Sequence, residues 1–157
     1  MMNKILVAYF SAGGVTREAA EKLAAAARAD LFEICPETPY TAADLDWTNK
    51  NSRSTLEMQD VTCRPALAAD ALDVAKYDVV FVGFPIWWGR EPSIIDTFVE
   101  AHELAGKCVI PFCTSGGGGF ANRAQMEKLV PNLSVHKELS VNTTEGDLKA
   151  WLTELSL

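Results

Sequence analysis

The chain has 157 residues, 48% of them apolar and 22% charged, which are the proportions of a folded globular protein with room for a single domain over residues 1–157. A formal net charge of −7 speaks against nucleic acid and anionic membrane surfaces, because phosphate-rich partners select basic faces. No apolar run approaches the roughly 20 residues that span a bilayer, and the first short run passes straight into a turn-like Ser-Ala-Gly-Gly, so a cytoplasmic location is expected.

Residues 4–10 form the first strand-like run. An Ala-rich stretch over 15–29 follows, with Leu23 among small neighbours, and predicts a helix. Residues 31–35 read as a second strand. The segment 36–64 is too long for a simple connection, which marks it as functional or as hiding an element. It holds Tyr40, Trp47 and a short helix start at Thr41-Ala42-Ala43-Asp44. Tyr40 and Trp47 serve either to bring this insertion over a ligand or to anchor it to the core. Arg53 and Glu57, four apart, are spaced to pair on a helical turn. Residues 66–75 are the next predicted helix, and 77–84 the third strand. In 93–103, Ile95, Phe98, Val99 and His102 fall on one helical stripe, which makes His102 half-buried and leaves Asp96 on a solvated face. Residues 107–114 make a fourth strand in which Pro111 is awkward, since it removes a ladder donor. A helix over 121–130, a weaker strand over 134–141 and a closing helix over 144–155 complete the chain. Asn142-Thr143-Thr144 supplies the N-cap of that last helix.

Strands alternating with helices predict an α/β fold, a parallel sheet with helices on both faces and right-handed crossovers. The four cysteines, Cys35, Cys63, Cys108 and Cys113, form no C-x-x-C pair, and His102 and His136 are the two histidines. No metal constellation arises from these residues, and reduced thiols are expected.

In open α/β sheets ligands bind beyond the carboxyl ends of the strands, where strand order reverses. Three loops leave those ends here. The first, Ser11-Ala12-Gly13-Gly14-Val15-Thr16, joins a strand to a helix. Its amides stand at a helix N-terminus, where free N–H groups and the macrodipole favour an anion. It lacks the lysine of a nucleoside-triphosphate loop and the G-x-G-x-x-G of a dinucleotide site. The plainer alternative is a tight turn followed by a helix cap. The second loop, residues 83–92, carries Pro85-Ile86-Trp87-Trp88-Gly89. Two adjacent tryptophans cannot both enter one core from a short loop, so at least one is exposed, for a planar ligand or a second subunit. The third, Thr114-Ser115-Gly116-Gly117-Gly118-Gly119, permits close backbone approach to something flat or polar, or else is a plain connector. Together they offer a phosphate cradle, an aromatic wall and a hydrogen-bonding loop, which are the requirements of a flavin mononucleotide (FMN).

At these residues the chain resembles the flavodoxin family, in particular its short branch with a Pro-Ile-Trp-Trp loop. The resemblance rests on Tyr9-Phe10-Ser11 with Thr16, on residues 83–89 and on Thr114-Ser115-Gly116-Gly117. It implies a three-layer, doubly wound, five-stranded parallel sheet of order 2-1-3-4-5. It also implies FMN as cofactor, with residues 11–16 around the phosphate and 85–89 and 114–118 flanking the ring. The first loop departs from the family's Ser-x-Thr-Gly-Asn-Thr: Gly13 stands for the first threonine and Val15 for the asparagine, so two side-chain donors to phosphate are lost. No catalytic side chain is expected, because the flavin carries the chemistry. The peptide near Trp88-Gly89 is placed to rotate a carbonyl toward a ring nitrogen. Three functions fit: an electron carrier docking redox proteins through an acidic rim, an oxidoreductase reducing a small acceptor such as a quinone, or an interaction module that has lost its cofactor. A monomer and a dimer are both compatible with the sequence.

Overall fold

Period-two hydrophobicity sorts each strand onto two faces, and that sorting builds the molecule. The computed structural model describes residues 4–115 and 119–157; Gly116, Gly117 and Gly118 of the third loop lie outside the described residues. The order is β1 (Ile5–Tyr9), α1 (Val15–Ala27), β2 (Asp30–Glu33), α2 (Arg53–Met58), β3 (Val79–Pro85), α3 (Ser93–Ala101), β4 (Cys108–Thr114), α4 (Ala124–Leu129), β5 (Lys137–Glu138) and α5 (Glu145–Glu154). All pairings are parallel and the strands run β2-β1-β3-β4-β5, as the resemblance implied.

Ile5, Val7 and Tyr9 of β1, with Phe81 of β3 and Phe112 of β4, face α1 and α5, where Leu23, Leu148, Trp151 and Leu152 close one core. Leu6, Ala8, Val80, Val82 and Phe84 face the other way, onto Ile94, Ile95 and Phe98 of α3 and Met126 of α4. Burying a Leu, Ile or Phe side chain fully is worth about 1.5–3 kcal/mol, and the interior of β1, β3 and β4 makes that gain on both faces. Gly83 in β3 lets the Phe112 ring lie against the sheet; a Cβ there would fall 2.0 Å from the ring. The last helix starts on a capping box: Thr144 accepts from the Asp147 amide, and the Asp147 carboxylate accepts from the Thr144 amide.

Pro111 sits inside β4 opposite Val82, and its missing N–H explains the weak fifth strand. The carbonyls of Val109 and Cys113 accept from Ser134 and Leu139 on the β5 side. Residues two apart face the same neighbour, so Pro111 presents its donorless nitrogen there. The edge pairing is therefore interrupted, and the strand predicted over 134–141 shortens to Lys137–Glu138 with a single bridge at Leu133.

Two expectations are corrected. Residues 66–75 do not form a helix. The segment is extended beside residues 35–37, with Ala68 N–H donating to the Cys35 carbonyl and Glu37 N–H to Ala66, and it ends in a short 3-10 turn over Val74–Lys76. Asp70 and Asp73 turn back onto the amides of Leu72 and Ala75, which competes with helix formation, while Leu67 and Leu72 are drawn onto the core. The crossover helix is instead α2, within the insertion, capped by Ser52. Asp96 is also not on a solvated face: it is fully buried, for a reason that belongs to the site.

Candidate functional site

The first loop turns at Gly14, which adopts φ 94 and N-caps α1, a conformation that glycine takes without steric penalty. Its amide donates to Ser11 Oγ, 3.1 Å away. The first intrahelical bond runs from Glu18 to the Gly14 carbonyl. Among the described residues, no acceptor takes the N–H groups of Ala12, Gly13, Val15 and Thr16, as expected for the opening turn of a helix. Thr16 is buried and its Oγ1 lies 2.8 Å from Thr114 Oγ1, so the first and third loops are joined by their hydroxyls. Arg17 is turned away onto Glu33, which leaves the cradle lined by backbone and hydroxyl groups.

The second loop is a tight turn. Trp87 and Arg90 exchange both backbone hydrogen bonds, and Trp88 and Gly89 between them have φ 51 and 75. The Gly89 carbonyl is held by Asn122 N–H at 2.8 Å. The peptides on either side of the Trp88–Gly89 bond are thus tied down by hydrogen bonds. Trp87 packs edge-on against Phe10 and Tyr40, with centroids 5.7 and 5.5 Å away. Trp88 is half exposed. One tryptophan therefore joins the core margin and the other faces solvent.

Below this turn lies a buried ionic cluster that the sequence analysis missed. Arg90 approaches Glu91 at 3.4 Å and Asp96 at 3.5 Å, and all three side chains are shielded from water. Arg64 reaches Asp96 at 3.9 Å. Ser93 Oγ links the cluster to α2 by donating to the Glu57 carbonyl. Burial pushes the Glu91 carboxyl up to about 8, and the neighbouring Asp96 reinforces the shift. Burial also raises Asp96, against the pull of its hydrogen bond from Glu91 and of both arginines. Arg90 and Glu91 at the foot of an aromatic loop, six and five residues before an acid on a helix, were the available signal.

The third loop leaves β4 through Thr114 and Ser115. The Ser115 hydroxyl donates to Glu138 at 2.6 Å and accepts from Gly119 N–H. The three loops meet around one cavity of about 370 Å³, lined by Ala12, Gly13, Val15, Thr16, Pro85, Ile86, Trp87, Thr114 and Ser115. Trp88 lines a neighbouring cavity that shares Ile86 and Trp87, and Ser11 opens onto a third beside Tyr40 and Cys35. A larger hollow between the end of α3 and residues 129–132 touches none of these loops. The described residues hold no cluster of metal-binding side chains and no helix long and apolar enough to cross a membrane.

The insertion is anchored by the pair that its spacing predicted. Arg53 Nε lies 2.9 Å from Glu57 Oε2, Tyr40 donates its hydroxyl to Glu57, and the Arg53 guanidinium lies over the Tyr40 ring, 3.9 Å from its centroid. Burial, helped by the Glu57 carboxylate, raises the Tyr40 phenol. Trp47 stays 74% exposed. His102 is half-buried, with Nδ1 3.0 Å from the Phe98 carbonyl, as its place on the stripe suggested.

No curated protein matches the chain. Among solved structures it is similar to a provisionally named flavoprotein of Bacteroides eggerthii DSM 20697, with 48% identity, a TM-score of 0.91 and 99% of each chain covered. A second, from Bacteroides uniformis ATCC 8492, shares 42% identity at TM-score 0.91 over 98% of this chain and 99% of that one. A flavoprotein of Lactobacillus acidophilus NCFM, solved in complex with FMN, shares the fold at 22% identity and TM-score 0.68, over 87% of this chain and 92% of that one. The family model described as Flavodoxin matches residues 4–155. With that match over nearly its whole length, the chain belongs to the flavodoxin family.

Proposed function

We propose that the protein binds one FMN in the cavity between its three loops and uses it to carry electrons between redox partners. The observation that carries this reading is the convergence of free helix-terminal amides, hydroxyls and an indole wall on one cavity at the reversal of strand order. The donor set fits the cofactor at both ends. The N–H groups of Ala12, Gly13, Val15 and Thr16, with the Ser11 and Thr16 hydroxyls, suit a phosphate. Ile86 and Trp87 suit a flat ring, and Gly89, Thr114 and Ser115 give its polar edge backbone groups to meet. Bound there, FMN supplies reversible one- and two-electron chemistry. The chain's own part is to bind, to orient and to exclude water. Trp87 is held rigid by Phe10 and Tyr40, and the buried Arg90–Glu91–Asp96 cluster anchors the base of the turn that bears both tryptophans.

A second reading, direct reduction of a small acceptor such as a quinone, is supported by the insertion, which places Leu45 and Trp47 beside Trp87 and Trp88 where a pure carrier needs an open edge. Titration of FMN with purified protein tests the cofactor: its fluorescence should quench to a one-to-one endpoint. Fluorescence that stays at the free value at saturating protein overturns FMN binding. Oxidation of a pyridine nucleotide by a quinone without any partner protein favours the enzyme over the carrier.

A further inference from the structure

Beside the loop cavity is a second one, of about 300 Å³, lined by Leu45, Trp47, Ser54, Ile86, Trp87 and Trp88. That volume lies at the lower end for small-molecule sites. Three of the chain's four tryptophans meet there, and none of the lining residues is charged. Trp87 is clamped by Phe10 and Tyr40, and Trp88 stands half exposed on a turn whose backbone is hydrogen-bonded. The third, Trp47, stands largely in water on a segment shaped by Asp46, which accepts from the amide and hydroxyl of Thr48. One polar atom breaks the apolar lining. Ser54 is 2% exposed and its hydroxyl has no hydrogen-bond partner, although its amide donates to the Asp44 carbonyl. A buried hydroxyl left unpaired is disfavoured, so an occupant that brings a carbonyl or hydroxyl to it is favoured. Indole faces favour flat rings, and an uncharged wall disfavours an ion.

We infer that this cavity is a separate ligand subsite for a neutral planar molecule of one or two rings carrying a carbonyl or hydroxyl, the quinone–quinol class, with Ser54 as its polar contact. Ile86 and Trp87 line both cavities, so such a ligand lies next to the site assigned to FMN. Its service as an electron acceptor rests on the FMN reading; its binding does not. A protein partner or a second copy would cover Trp47 and Trp88 without reaching a hydroxyl as deeply buried as that of Ser54.

Tetramethyl-1,4-benzoquinone is a suitable probe, because its substituted ring carbons resist addition of the exposed thiols of Cys35 and Cys108. Calorimetric titration of the FMN-loaded protein should show one saturable site. Trp47→Ala should weaken it about tenfold by removing one aromatic wall. Ser54→Ala should weaken it about fivefold, the worth of one neutral hydrogen bond. Ser54→Ala removes a hydroxyl that bonds nothing, so the fold and the FMN content should be unchanged. No saturable heat, equal affinity in both variants, loss of FMN on Trp47→Ala, or a dimer that dissociates on Trp47→Ala would each overturn the subsite. The two readings fail separately. Quinone binding with these dependences in protein that takes no FMN rejects only the cofactor, whereas FMN binding without quinone binding rejects only the subsite.

Discussion

At Gly13 the proposed phosphate cradle lacks the hydroxyl of the family's pattern. A Cβ built on Gly13 meets nothing within 4 Å, and its φ lies outside the left-handed region, so a side chain is tolerated there. The family's threonine would add a hydroxyl to a cradle that otherwise relies on backbone donors and the Ser11 and Thr16 hydroxyls. A hydrogen bond to a charged group contributes about 1.5–3 kcal/mol, so Gly13→Thr should tighten FMN binding by about tenfold or more, read by fluorescence titration. Unchanged affinity would place the phosphate elsewhere. Gly14 differs: at φ 94 a side chain is strained whatever space surrounds it. The two glycines look alike in the sequence, and only backbone angles separate the replaceable one from the required one.

At the scale of elements, the aromatic loop is positioned by charge as well as by packing. Arg90 sits between two buried acids, and α2 joins the cluster through Ser93 and the Glu57 carbonyl. Removing one partner of a buried ionic group costs about 3–5 kcal/mol, because the remaining charge is left without compensation. Arg90→Leu should therefore lower stability by about that amount in urea unfolding above pH 8, where Glu91 is ionised, and change the indole fluorescence of Trp87 and Trp88. A near-neutral result would mean that the acids need no cation. The same region shows where pattern reading stops. Asp96 lies on a helix whose apolar stripe was legible, but its neighbours Arg90 and Arg64 come from two different loops, so the local sequence left it in water. Residues 66–75 read as a helix, yet Leu67 and Leu72 are claimed by the core and Asp70 and Asp73 by their own turns. The helix that does cross lies earlier, where only the Arg53–Glu57 spacing hinted at it.

Across the whole molecule, the buried acids link stability to pH. Glu91, pushed up to about 8, and Asp96, raised beside it, bind protons more tightly in the folded chain than in the unfolded one. The stabilising effect of Glu91 is complete below the ordinary carboxylate range and is lost as pH rises through about 8, and that of Asp96 has the same sign. Around Glu91 stand Arg90 and Asp96, with Arg64 beyond Asp96. His136, lowered by burial and by Arg123, acts with opposite sign in a lower window. The thermal midpoint should therefore fall between pH 6.5 and 8.5, and Glu91→Gln should flatten that slope and raise the midpoint at pH 8.5. A slope that survives in Glu91→Gln would assign the effect to other groups.

The order of strands and helices, the two-faced burial of β1, β3 and β4 and the three loops at one sheet edge were determined by the sequence by itself. They depend on local periodicity, turn residues and the handedness of parallel crossovers, all of which act over short stretches of chain. The tertiary structure alone decided the conformation of 66–75, the shortness of β5, the burial of Asp96 and the hollow floored by Ser54. Each depends on neighbours brought from distant segments, and burial turns the character of a residue from what it is into what surrounds it.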